Sequence, residues 1–323
     1  MIPVIARSIA RSGVKKVAGP RERAGDRVFQ AALCAAAMSV VALALALACR
    51  LSIDSRLLWK AMGPGFLWGT TWDPVAEVFG ALPFIFGTLV TSALALLIAV
   101  PLGIGAAVFL SEMAPRRVAA VCGFLIELLA AVPSVIIGLM GIFVLVPVVR
   151  SVEPFLISTL GRLPLFSGFP YGVGMLSAGL VLAMMVLPYI TTITREVLMT
   201  VPSSLKEGAL ALGATRWETV HTVSLPYARS AVVGAVFLAL GRALGETMAV
   251  TMVIGNTPKI SASLLDPGYS MAAVIANEFA EATSDAYVHA LIGIGLVLFV
   301  LTLLINGCAR WMILRLARPA GAR

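Results

Sequence analysis

Charge is what this chain has least of. Of its 323 residues, 12% are Asp, Glu, Lys or Arg, while 60% are hydrophobic. A water-soluble domain of this length is not built on that ratio, so the composition points to a polytopic membrane protein. Lysine is scarcer still. The five lysines follow Val14, Lys15, Trp59, Leu205 and Pro258, never a glycine. A phosphate-cradling P-loop needs Gly-Lys, so the chain carries no Walker A site of its own. The two histidines, His221 and His289, stand far apart and outside any H-E-x-x-H pattern. Metal-assisted and His-dependent nucleophilic catalysis are therefore unsupported. The four cysteines, Cys34, Cys49, Cys122 and Cys308, show no C-x-x-C spacing and read as small apolar packing residues. No internal repeat and no low-complexity segment is present. The chain does not read as an enzyme. The net charge of +8 is spread over loops that flank apolar runs, which argues against nucleic acid as a partner.

What is there in quantity is apolar length. Six stretches suffice to cross a hydrocarbon core of ~30 Å at ~20 residues each. They lie near 28–50, 84–110, 118–149, 172–194, 227–255 and 288–312. The third holds Glu127, Pro133-Ser134 and Gly138-x-x-Gly141, which predicts a kink. Ala46-Leu47-Ala48 before Cys49 has the look of a cleavage site. The apolar run ahead of it exceeds a signal core of roughly 7–15 residues, so an uncleaved first span is the expectation. Seventeen of the 24 Lys and Arg fall in the tail 1–27, the loop 111–117, the region 195–229 and the C-terminal end. Six fall on the opposite side, and Arg242 lies within a span. The richer side is expected to be cytoplasmic, with both termini there. Outside, Trp59, Trp68 and Trp72 read either as headgroup anchors or as part of a docking surface. A short amphipathic run, Met271 to Ala282, reads as a surface helix over a channel mouth or as a solvated loop helix.

The longest polar interruption, 196–225, has a helix–turn–helix grammar. Ser204-x-x-Glu207 has the pattern of a capping box, and Leu205, Ala209 and Leu212 follow at helical spacing. Gly213 can take the left-handed conformation that ends such a helix. Thr215-x-x-Glu218 opens a second box, and Pro226 is expected to close the second helix. Two short helices pinned by one glycine and displayed between spans form a docking surface.

Inside the fifth span stands Gly241-Arg242-Ala243-Leu244-Gly245-Glu246-Thr247. Arg242 and Glu246 are i and i+4, so they share a face of a helix. Gly241 and Gly245 form a small strip beside that face, where another helix can approach. An arginine at the centre of a span is unfavourable by ~2.5–3.5 kcal/mol, so it persists when paired or when it lines a wet path. Both readings remain open: a structural ion pair, or a place in a solute pathway that favours anions. Glu127 is a second candidate partner for Arg242.

Glu207-Gly208-Ala209, with Gly213 and the closing Leu225-Pro226, resembles the EAA signature of ABC importer permeases. Gly208 stands where that family usually has alanine. The strings at 72–92, 99–115, 130–139 and 241–256 are similar to phosphate permeases of the PstC type, and the GETMAV form at 245–250 separates these from the sister PstA type. The resemblance covers roughly 55–315. It implies an all-α integral membrane protein with six transmembrane helices and the type I (MetI-like) importer permease fold. It implies a basic cytoplasmic tail at 1–27, a first span at 28–50 and a periplasmic loop at 51–83. A transmembrane domain at 84–315 follows, with its coupling loop at 196–225, and a C-terminal tail at 316–323. The expected partners are a PstA-like sister permease, two PstB-like ATPases that hold ATP and Mg, a PstS-like periplasmic phosphate-binding protein, and phosphate itself. The chain itself is expected to bind no cofactor and no metal. Glu207, Gly208, Ala209 and Gly213 would couple to the ATPase. Arg242, Glu246, Thr247, Glu127 and Ser134 would line the phosphate path in an inner membrane. Alternatives from the residues alone are a permease for molybdate or sulfate, an ion-coupled secondary carrier, or a membrane scaffold that reports phosphate status.

Overall fold

Apolar runs of this length have one way to satisfy their own backbone in hydrocarbon without closing a barrel, the α-helix. The structure, a computed structural model, describes residues 20–316. The expected terminal tails therefore lie largely outside the described residues. The chain divides into two compact units, 1–50 and 51–323. In the first, helix α1 begins at Pro20; it runs on to Asp54. Its side chains from Gly25 to Arg50 are exposed almost throughout, Phe29, Met38 and Leu43 among them. An all-round apolar helix of this length is suited to lipid.

The second unit opens with two short helices, α2 (Arg56–Met62) and α3 (Gly65–Trp68). A two-stranded antiparallel hairpin follows, β1 (Trp72–Asp73) and β2 (Val78–Phe79), in the register Trp72 to Phe79 and Asp73 to Val78. The Asp73 carboxylate accepts the amides of Val75 and Ala76 and so shapes the turn. Next come α4 (Leu82–Val108), α5 (Arg116–Ala131), α6 (Ser134–Met140), α7 (Val146–Leu160) and α8 (Met175–Met199). The chain ends with α9 (Ser203–Ala211), α10 (Arg216–Thr219), α11 (Leu225–Leu244), α12 (Met248–Val253), α13 (Met271–Glu278) and α14 (Asp285–Leu316). Among the described residues, six helical stretches are long and apolar enough to cross a membrane: Gly25–Asp54, Leu82–Met113, Ser134–Leu160, Met175–Met199, Arg216–Leu244 and Asp285–Arg315.

The third stretch departs from the sequence expectation of 118–149. Val132 precedes Pro133, and proline pushes its predecessor out of the helical region. Val132 sits at ψ 127°, and the helix breaks there. The span begins at Ser134, and Glu127 is left behind on α5. The fifth stretch also ends early, at Leu244 rather than 255.

The core of the membrane body mixes Val, Leu, Ile and Met with small residues on α4, α8, α11 and α12, of which Ala95, Ala99, Ala178, Ala239, Ala243 and Ala249 are all at or below 3% exposure. Small side chains let helices approach where lipid supplies no hydrophobic drive. Gly103 on α4 meets Ile190 on α8, and Gly179 on α8 meets Leu94. A second cluster is aromatic. Trp72 packs edge-on to Phe84 and Phe79 at 4.8 and 5.0 Å. Its indole donates to a Glu278 carboxylate oxygen at 2.8 Å, and the Tyr287 hydroxyl donates to the same oxygen at 2.6 Å. Trp72 is thus a half-buried residue packed on this cluster that locks the hairpin onto α13 and α14, whereas Trp68 is exposed. The amphipathic run from Met271 is a half-buried helix, with Met271 to Val274 covered.

Gly87 is where α4 passes the loop ahead of α13 most closely, for a Cβ there would overlap the Tyr269 carbonyl. Gly87→Ala is expected to destabilise the protein by about 1–3 kcal/mol, the range for overpacking. Gly105→Ala, where a Cβ meets open space, should leave it unchanged. Thermal unfolding of the two purified variants checks this.

Candidate functional site

The charged segment of the fifth span folds differently from one continuous helix. Helix α11 stops at Leu244, and Gly245 leaves the helical register at ψ 2°. Glu246 then turns its carboxylate to the start of α12, where Oε1 accepts the Ala249 amide at 3.3 Å. A helix beginning inside apolar surroundings needs an acceptor for its first amides, and Glu246 supplies one. The i, i+4 ion pair with Arg242, one of the two readings open from the sequence, is accordingly not formed. The Arg242 guanidinium lies instead over the ring of Tyr189 on α8, 4.7 Å from its centroid. Its Nε is buried without a hydrogen-bond partner.

A cavity of roughly 550 Å³ opens there, lined by Tyr189, Ile193, Leu238, Gly241, Arg242, Gly245 and Glu246. Gly241 and Gly245 were expected to seat a packed helix. Among the described residues only α14 comes near them: a Cβ at Gly241 would just touch Asn306 on that helix, and one at Gly245 only the Gly241 carbonyl. The glycines form a wall of the cavity. Thr247 stands just ahead of α12 and is half-buried. Ser134 opens α6 and is also half-buried. Glu127, read from the sequence as a buried carboxylate and a candidate partner of Arg242, is exposed on α5 because the break at Pro133 takes it out of the span. Tyr189 escaped the sequence reading, since no spacing links position 189 to 242.

The polar loop forms two short helices. Ser204 does not cap α9, because the helix starts at Ser203 after Pro202 and Ser204 falls within its first turn. No side chain of α9 is buried, and Glu207 and Gly208 are exposed while Ala209 is half-buried. Gly213 takes φ +90°, the left-handed turn that the sequence predicts. The second capping box is present: Thr215 Oγ1 accepts the Glu218 amide at 3.2 Å, and a Glu218 oxygen accepts the Thr215 amide at 2.7 Å. Pro226 does not end the helix that follows. A π-turn over Val220–Ser224 shifts the register, with the Leu225 amide donating to the Val220 carbonyl, so proline fits in the first turn of α11. Leu205, Leu212 and Trp217 stay exposed, Leu212 at 91%. Lys206 points the other way, to Glu112 at 2.7 Å. Glu112 is the second residue that sequence reasoning missed, for it lies 94 positions away.

A six-span helical body, a charged intramembrane cavity and an exposed helix–turn–helix together define a transport permease rather than an enzyme. The chain belongs to the family of binding-protein-dependent transport system inner membrane components, whose model matches residues 99–318. It is a multi-pass inner membrane protein. Its curated relatives include the phosphate transport system permease protein PstC of Mesorhizobium japonicum, 49% identical over 92% of each chain. PstC of Xylella fastidiosa is likewise 49% identical, over 93% of this chain and 94% of its own. The fold is similar to that of a bacterial ABC transporter involved in import of the acidic polysaccharide alginate, with a TM-score of 0.62 at 17% identity over 92% of this chain and all of that one. The MetNI methionine ABC transporter matches at a TM-score of 0.53, 17% identity, over 77% of this chain and all of its own. These structures bear on fold alone.

Gly213→Val should strain the turn by roughly 1–2 kcal/mol, since an L side chain disfavours the left-handed region. Thr215→Ala should unlatch the start of α10. Both are expected to raise the rate of limited proteolysis between Leu212 and Arg216 above that of the parent.

Proposed function

We infer that this chain is the permease subunit of an ATP-driven importer of inorganic phosphate, forming half of an alternating-access channel. The observation that carries the reading is 49% identity to phosphate permeases along 92% of both chains. A molybdate or sulfate importer and an ion-coupled carrier are not favoured by it.

The chain would pair with a PstA-like sister permease. Two PstB-like ATPases would hold ATP and Mg and meet the exposed face around Glu207, Gly208 and Ala209. Gly213 would set the angle between α9 and α10, so that ATPase closure moves both as a lever. A PstS-like protein would deliver phosphate from outside. The guanidinium of Arg242 suits an oxyanion, because its fork matches two oxygens at once. Tyr189 holds one face of that guanidinium, which leaves the rest to the cavity. Glu246 would act by holding the turn at Gly245, and Thr247 by donating its hydroxyl to the Gly245 carbonyl in the same turn. Ser134 remains a candidate for the path. The exposed position of Glu127 makes it a weaker one.

The test is uptake of labelled phosphate by the reconstituted complex. Arg242→Lys keeps the charge and loses the fork, and uptake should fall by about tenfold, the scale of one bidentate charge-assisted contact. Excess sulfate or molybdate should not compete. Full uptake in the Arg242→Leu variant would remove Arg242 from the path, and uptake of sulfate in preference to phosphate would overturn the substrate.

The side rich in Lys and Arg is proposed to be cytoplasmic. In a variant stripped of its four cysteines, Ser203→Cys should resist an impermeant maleimide in sealed cells. Val75→Cys, at a position 95% exposed on the hairpin turn, should react. The reverse pattern would invert the topology.

A further inference from the structure

Helix α9 has no buried side chain, and its two ends hang on Pro202 and Gly213. A short helix held in that way can swivel about the line joining its ends. A force on its exposed face would then turn the helix instead of moving the spans. Packing on α10 and the Val220–Ser224 turn steadies the helix on one side, and Lys206 ties it to the second span and to α8. Its side chain runs inward with 21% of its surface exposed and meets Glu112, 12% exposed, at 2.7 Å. The same ammonium donates to the Leu198 carbonyl at 3.4 Å. One cation thus ties the middle of α9 to the π-turn that ends the second span and to the last turn of α8.

We propose that the Lys206–Glu112 ion pair is the strut that transmits displacement of α9 to the membrane spans. The proposal rests on the reading of α9 as the surface that meets an ATPase. Three features support it. The pair is charge-assisted and short, and its partial burial protects it from screening by salt. Glu112 sits in a π-turn, a device that re-aims side chains and recurs at functional positions. The two elements it grips lead directly to the cavity, since α8 carries Tyr189 and packs along α4. Lys206 and Glu207 are neighbours with opposite tasks: the lysine faces the spans, and the glutamate is left free on the outer face.

The experiment measures phosphate moved per ATP hydrolysed by the whole reconstituted transporter. It compares Lys206→Met, Glu112→Gln and the exchange Lys206→Glu with Glu112→Lys. Yield of the assembled complex is recorded for each. The expected result is normal yield, continued ATP hydrolysis and a transport ratio reduced by about tenfold in each single variant. The exchanged pair should recover most of the ratio. A parent-like ratio in Lys206→Met overturns the proposal. So does a parallel loss of hydrolysis and transport, which would make Lys206 part of the ATPase contact. If a single variant assembles poorly, the exchanged pair decides: assembly with an uncoupled ratio overturns the strut. Should the parent carry a different oxyanion, the functional reading fails, while the variant-to-parent ratio for that oxyanion still tests the strut.

Discussion

Backbone amides without a helical partner are the constraint on which this structure depends. In an apolar body an unpaired amide is costly, so each place where a span breaks needs a repair. The repairs are specific. Glu246 takes the amide of Ala249 after the break at Gly245. The Thr88 hydroxyl takes the amide of Met271, and the buried Glu153 carboxylate takes that of Gly172. The first amides of α8 donate to carbonyls of Val253, Leu264 and Asp266, so the loop after α12 folds back over that helix end. The breaks and their repairs shape the body as much as the long helices do.

The charged cavity follows from one of these repairs. Because Glu246 is engaged at the α12 start, it does not neutralise Arg242. The guanidinium is held by an aromatic face, which attracts the cation without occupying its hydrogen-bonding edge. A carboxylate in the same place would compete with any anion for that edge. A tyrosine does not. Positioning without neutralisation leaves that edge free to meet an anion.

The loop that carries α9 and α10 shows the reverse arrangement. Its helices bury almost nothing, and their large apolar side chains are turned outward. Such a surface is stable in a complex and is held in place meanwhile by local devices: a left-handed glycine, a reciprocal cap and one ion pair to the spans. Two π-turns, at Phe109–Met113 and Val220–Ser224, stand where spans meet this layer. The second lets a proline sit in a continuous helical rod that would otherwise break.

Much of this was written in composition and local pattern. Apolar length determined six spans, because hydrocarbon thickness demands it. The Thr215-x-x-Glu218 spacing determined a cap, and Gly213 determined a turn, since both depend on residues within three or four positions. The i, i+4 spacing of Arg242 and Glu246 misled, because it assumes an unbroken helix, and Gly245 ends it. Ser204 misled by one residue in the same way. Pro133 carried its own signal, yet where the break would leave Glu127 depended on which half became the span. The contacts that hold the cavity, the loop and the hairpin join distant positions: Tyr189 to Arg242, Glu112 to Lys206, Trp72 to Glu278. A sequence states which side chains exist and how their neighbours space them. Which aromatic lies under which cation is decided only when helices cross, because crossing angle and close approach depend on the packing of all the small residues between them.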